Sequence, residues 1–158
     1  MGIDKKLSTK EMSESEESSK GIKIDWDENE ALPRVQLTLG GSRYDAVLAN
    51  NAFYAGMIEV PEDERRKGVG SQLLMELIEI AKKQGINQIV HTLQSAEGLI
   101  LISQKLKQPD RKYYYQAKQE IPLAEAVEIL KRKKEEGKEA DKTIMVQSTT
   151  YIDQLEGK

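Results

Sequence analysis

The sequence contains no cysteine, one histidine (His91), one tryptophan (Trp26) and one phenylalanine (Phe53) among 158 residues. Without cysteine there is no disulfide, no thiolate metal site and no cysteine nucleophile. A single histidine excludes a histidine cluster for a metal within one chain, and no metal is expected. No apolar run approaches the roughly 18 residues of a membrane-spanning helix. The opening residues hold no apolar signal core, so a soluble protein of the cytoplasm is expected. Charge of one sign is also lacking: 24 Lys and Arg against 27 Asp and Glu leave a net charge of −3. That near balance gives no global electrostatic reason to bind nucleic acid.

What is present suits one compact domain. Residues 1–20 are rich in Ser, Glu and Lys and poor in apolar side chains. They bury too little surface to offset the entropy of ordering and read as a disordered arm. A single domain is expected over residues 21–158. Ile22, Ile24 and Trp26 alternate with Lys23 and Asp25, as in a half-buried strand. Residues 34–39 alternate again and stop at Gly40-Gly41, a hairpin turn, from which residues 43–48 return. Residues 53–60 read as one further strand.

The first helix is announced by Val69, Leu73, Leu74, Leu77, Ile78 and Ala81 on one face. Lys82 and Lys83 suit the dipole at its end, and Gly85 its C-terminal cap. Residues 86–93 read as a strand. Ser95 is placed to cap a second helix, on which Leu99, Ile102 and Leu106 share a face; Pro109-Asp110 closes it. Residues 112–117 are β-prone through their aromatics. Pro122 opens a third helix, at about residues 122–136, and residues 143–152 alternate as a last strand. The expected fold is an α/β (α+β) sheet of mixed direction.

The loop Arg65-Arg66-Lys67-Gly68-Val69-Gly70 lies between a strand and the first helix. Backbone N–H groups at a helix start have no helical partner, and the dipole adds positive character. Gly68 and Gly70 remove side chains that would hold an anion away. Three cationic residues complete a pocket for a diphosphate or similar anion; an ordinary exposed turn is the plain alternative. A P-loop would need Lys-Ser or Lys-Thr after its last glycine, whereas Ser71-Gln72 follows here. A dinucleotide fingerprint would need a third glycine in a βαβ unit.

Residues 57–74, from Met57 to the Leu73-Leu74 pair, resemble the core motif of the GNAT (N-acetyltransferase) superfamily. That motif is a strand, Gln/Arg-x-x-Gly-x-Gly/Ala, and a helix carrying Leu-Leu; Arg65, Gly68 and Gly70 match it. The resemblance implies a mostly antiparallel sheet with helices packed on it and a splayed pair of central parallel strands, residues 53–60 and 88–93. It implies acetyl-CoA as co-substrate, its pyrophosphate held by Arg65, Arg66, Lys67, Gly68, Val69, Gly70 and Ser71. The pantetheine arm would bond the main chain of Ile58, Glu59 and Val60. Two departures stand out. The two helices with which the family begins have no counterpart before Arg43, and Ser103 falls where the family often has a tyrosine that serves the departing thiolate. The helix at about residues 122–136 is extra.

Acyl transfer to an amine needs a neutral amine, a polarised carbonyl and close approach. Glu59 is the candidate base, against a solvent-facing strand residue. Ser103 is the candidate partner of the thiolate. Glu62, Asp63 and Glu64 read as solvated loop charges. His91 reads as a packed histidine rather than a base, and Tyr54 as core rather than acceptor groove. Trp26 and Tyr113-Tyr114-Tyr115 read as packing rather than base stacking. Lys131-Arg132-Lys133-Lys134 reads as a dipole-matched helix end, with Glu128 pairing Arg132, rather than a nucleic-acid patch. The expected function is acetyl transfer from acetyl-CoA to an amine of a protein or small molecule. The alternative is a GNAT-like binding or scaffold module, weak or inactive in catalysis, acting through protein or nucleic-acid partners. A homodimer through the last strand follows by analogy with the family.

Overall fold

In the computed structural model, residues 16–17, 20–28 and 31–155 are described. The arm expected over residues 1–20 lies mostly outside them; within it, Glu16–Glu17 form β1 and pair with Ile24 and Lys23. The strands that follow are β2 (Lys23–Asp27), β3 (Arg34–Leu39), β4 (Ser42–Ala49) and β5 (Ala52–Ala55). Helix α1 (Val69–Gln84) leads to β6 (Gln88–Leu93), and α2 (Ala96–Lys105) to β7 (Tyr113–Tyr115) and β8 (Gln119–Ile121). Helix α3 (Leu123–Glu135) precedes β9 (Val146–Tyr151). The sheet order is β1-β2-β3-β4-β5-β6-β9-β7-β8. Every described pairing is antiparallel except β5–β6, which is parallel. The mixed, mostly antiparallel sheet with a central parallel pair is therefore present.

Strand alternation sorts the side chains onto two faces. Ile24, Trp26, Val35, Leu37, Tyr44, Ala46, Phe53, Ala55 and Ile89 are buried and join one cluster with Leu73, Leu77, Leu99, Ile102, Ala126 and Leu130 of the three helices. Trp26 packs against Phe53 with ring centroids 6.2 Å apart, so it is a core residue. The intervening residues Asp25, Gln36, Asp45, Val47, Tyr54, Val90 and Thr149 are half-buried or exposed. One face thus carries the core and the other is open. Among the described residues no α-helix precedes Val69, and no described α-helix lies on that second face.

The helices end as their sequences dictate. Gly85 takes φ 71° as the cap of α1, where a left-handed residue costs glycine nothing. Ser95 Oγ accepts the Gly98 N–H at 3.1 Å. Replacing Ser95 by alanine is expected to cost about 1 kcal/mol, read as a lower urea midpoint with an unchanged slope.

Two sequence expectations change. The last strand begins at Val146, because the Asp141 carboxylate accepts both Thr143 N–H and Thr143 Oγ and folds that segment into a turn. Residues 112–117 are not one strand: Gln116 and Ala117 take φ 53° and 59° and turn β7 into β8. In the sheet β9 lies between β6 and β7, paired with β6 along its length and with β7 at Val146 and Gln147. No described helix is long and apolar enough to cross a membrane.

Candidate coenzyme site

The strand expected over residues 53–60 breaks in the middle, and the break opens the site. Ala52 to Ala55 pair in parallel with Gln88 to His91, and there the β5–β6 ladder stops. On the other side Ala46 pairs with Ala55, Gly56 N–H donates to Asp45 O at 3.0 Å, and Arg43 next pairs with Glu59. Three steps along β4 face four along the partner. The extra residue is a β-bulge, which bends its strand. Beyond it the chain stays with β4 and leaves β6, which runs on to Leu93 against β9. This is the splayed pair.

Hydrogen bonding decides which main-chain groups face the gap. Glu59 N–H donates to Arg43 O at 2.8 Å and Glu59 O accepts from Arg43 N–H at 2.9 Å. Its neighbours Ile58 and Val60 must point their groups the opposite way. Among the described residues neither Ile58 N–H and C=O nor Val60 N–H has a backbone partner. The three-residue edge expected at Ile58, Glu59 and Val60 thus narrows to Ile58 and Val60. Val60 O accepts from Arg65 Nε at 3.1 Å, which folds the first loop arginine back onto the strand.

The loop is anchored from the far side. A 3-10 turn (Glu62–Glu64) follows Pro61. Glu64 accepts Ser42 Oγ at 2.7 Å and Gly41 N–H at 2.9 Å. These bonds, that from Ser42 first, hold its carboxyl below the usual range. The grip needs Gly40: a Cβ there would lie 2.9 Å from Glu64 Oε2. Glu64 is therefore a tether, not the solvated loop charge its sequence context suggests.

After the turn, Arg66 takes φ 67° and Gly68 φ 78°. The first bond of α1 runs from Gln72 N–H to Gly68 O at 3.0 Å. The N–H groups of Val69, Gly70 and Ser71 then have no acceptor within the helix. No side chain caps them, and the first turn holds no acidic residue. Arg65, Arg66 and Lys67 stand exposed around them. A Cβ on Gly70 would lie 3.6 Å from Leu101, 3.7 Å from Ile58 and 3.8 Å from Val60. Gly70 thus joins the uncapped helix start to the unpaired strand edge. Donors, cations and gap form one continuous surface suited to a diphosphate with an extended arm.

The catalytic candidates are already engaged. Glu59, 55 % exposed, holds Arg43 Nη2 at 2.9 Å. Ser103 Oγ donates to Ile100 O of its own helix at 2.8 Å. His91 is 1 % exposed, with Nε2 2.7 Å from Thr150 Oγ. Burial and, after it, the Arg111 charge push its pKa down to about 3; it is a packed, neutral ring. Tyr54 is 43 % exposed, which overturns its reading as a core residue. Tyr113 is buried, while Tyr114 and Tyr115 are half-buried.

The basic end of α3 does not form one patch. Lys133 is 3 % exposed and donates to Gln94 O and Ile144 O. Lys134 lies 3.6 Å from Glu97, and Arg132 3.6 Å from Glu128 as expected. One important residue carries no local signal. Arg111 donates to Leu106 O, Ser148 Oγ and Thr150 Oγ, tying the end of α2 to β9 under His91. Two surface concavities, of about 510 Å³ at Arg111, Tyr113 and Leu123 and about 370 Å³ at Gln108, Tyr114 and Tyr151, lie beyond β6 on the β9 side.

Fold and site together define an α/β protein that presents an uncapped helix N-terminus beside a splayed parallel strand pair. The family follows from the sequence profile. That of the Acetyltransferase (GNAT) family matches residues 14–100, more than half of the chain, and the chain belongs to this family. Among solved structures it is similar to the ribosomal-protein-S18-alanine N-acetyltransferase from Escherichia coli, at 17 % identity and TM-score 0.47, over 79 % of this chain and 72 % of that one. It is similar to an acetyltransferase from Bacillus cereus ATCC 14579, at 15 % identity and TM-score 0.49, over 94 % and 88 %. It is also similar to a Bacillus subtilis acetyltransferase in complex with CoA, at 18 % identity and TM-score 0.46, over 76 % of each chain. No curated protein matches the chain.

Proposed function

We propose that the chain is an N-acyltransferase that moves acetyl from acetyl-CoA to an amine of a protein or small molecule. The observation that carries this reading is the uncapped start of α1 meeting an unpaired strand edge across Gly70. The amides of Val69, Gly70 and Ser71, with Arg65, Arg66 and Lys67, hold the pyrophosphate. Ile58 and Val60 offer their main chain to the pantetheine arm. Acetyl-CoA supplies the activated acyl group as a thioester. The protein contributes alignment and a donor for the carbonyl oxygen, for which Val60 N–H is suited.

A second reading is favoured by one observation: Glu59 and Ser103 both have their polar atoms engaged elsewhere. It is a module that binds the coenzyme and transfers little. Calorimetry with acetyl-CoA and thiol release with an amine panel separate the two. Saturable binding with thiol release is expected. Binding without release would favour the module, and absence of binding would remove both.

A further inference from the structure

The loop from Arg65 to Gly70 is seated on a turn that lies far from it in sequence. Gly40 and Gly41 join β3 to β4. Glu64 Oε2 accepts Gly41 N–H at 2.9 Å, and Glu64 Oε1 accepts Ser42 Oγ at 2.7 Å. The two segments approach too closely for side chains between them. A Cβ on Gly40 would lie 2.9 Å from Glu64 Oε2, and one on Gly41 would lie 3.1 Å from Pro61 Cγ. Gly40-Gly41 thus forms a bare-backbone socket that takes both Pro61 and Glu64.

Little else holds the loop. Glu64 N–H donates to Pro61 O and Arg65 N–H to Glu62 O, both within the turn itself. Arg65 Nε reaches only to Val60 O. Among the described residues, the hydrogen bonds that tie residues 61–67 to a distant part of the chain are those of Glu64. Two places further on, Arg66 takes φ 67°. A left-handed arginine persists only where its surroundings hold it. The charge of Glu64 gives no reason for it to stand beside an anion site. A carboxylate repels a diphosphate, so whatever Glu64 adds to affinity must come through shape.

We infer that Glu64 is a positioning residue for the coenzyme: its grip on Gly41 and Ser42 presets the loop in the shape that receives the diphosphate. The inference rests on the acetyl-CoA reading. A loop already in place loses less freedom on binding. A loop released from the socket is competent for only part of the time, and apparent affinity falls by that fraction. Coupling between the socket and the coenzyme is reciprocal. Bound acetyl-CoA therefore tightens the Gly41 N–H bond to Glu64, although the β3–β4 turn does not touch it. Charge and grip act in opposite directions. Removing the carboxylate strengthens binding if only charge matters and weakens it if the grip matters.

The test is calorimetry with acetyl-CoA on wild type, Glu64→Ala, Glu64→Gln and Ser42→Ala. Glutamine can keep both contacts, its carbonyl accepting Gly41 N–H and its amide donating to Ser42 Oγ. Glu64→Ala is expected to bind about tenfold more weakly, and Glu64→Gln as tightly as wild type or more so. In hydrogen exchange, protection of the Gly41 amide should rise with acetyl-CoA in wild type and stay flat in Glu64→Ala. Binding by Glu64→Ala as tight as wild type, or tighter, would overturn the inference and leave the coenzyme reading standing. Equal weakening in Glu64→Gln and Glu64→Ala would overturn it too, since only one of them keeps the contacts. No binding by wild type would remove the coenzyme reading and this inference with it. Should Glu64→Ala fail to fold, Ser42→Ala decides. It keeps the carboxylate, loses one bond and should bind about threefold more weakly; an unchanged affinity would overturn the proposal.

Discussion

Replacing Arg65 and Gly70 together by alanine is expected to lower acetyl-CoA affinity at least about a hundredfold while the fold stays intact. A charge-assisted bond to a phosphate is worth about 1.5–3 kcal/mol, and every 1.4 kcal/mol is about tenfold in affinity. Arg65 supplies one such cation and also holds Val60 O. At Gly70 a methyl would sit against Leu101, Ile58 and Val60 at ordinary contact distances. It fits the protein yet fills the floor over which, on the proposed reading, the coenzyme would pass. Alanine also favours the helix over glycine by roughly 0.5–1 kcal/mol. Calorimetry with acetyl-CoA and a thermal melt check the two halves together. An affinity equal to wild type would sink the anion loop; a lost melting transition would mean that the glycine serves the fold.

The second large effect is a loss of stability in acid that traces to His91. In the unfolded chain its pKa is about 6.5, and in the folded protein it is pushed down to about 3 by burial and by Arg111. Above the unfolded value both states are neutral and the histidine contributes no pH dependence. As pH falls from about 6.5 toward 3, the unfolded chain takes up a proton that the folded protein refuses, so stability falls. At about 1.4 kcal/mol per pH unit the loss approaches 5 kcal/mol by pH 3. Carboxylates add their own acid dependence, Glu64 among them, since its folded pKa is lowered. The His91 share is isolated by His91→Gln, which should flatten the slope between pH 6.5 and 4 in urea titrations. Equal slopes in wild type and variant would show that His91 takes its proton within the fold.

These two predictions differ in what the sequence reveals of them. The anion loop is legible because its parts are contiguous. A strand that stops, three cations, two glycines and an apolar helical stripe are all read in order, and a helix start presents its amides whatever packs around it. The caps at Ser95 and Gly85 are legible for the same reason. The His91 environment is not legible, because Thr150 reaches it from β9 and Arg111 from the segment between α2 and β7. The Glu64 tether is likewise invisible, since its partners Gly41 and Ser42 lie 23 and 22 residues away. The β7–β8 hairpin escapes notice because Gln116-Ala117 lacks the residues that ordinarily turn left-handed.

By itself the sequence determined the three helices, the caps at Gly85 and Ser95, the strands β2 to β6 and β9, and the glycines and cations of the loop at residues 65–70, because each depends on residues a few places apart. Only the tertiary structure decided that residues 53–60 bulge between Ala55 and Glu59 and that Glu59 gives its main chain to Arg43. Those outcomes depend on register between strands distant in sequence. A one-residue bulge there changes which groups face the gap, and no local pattern records it.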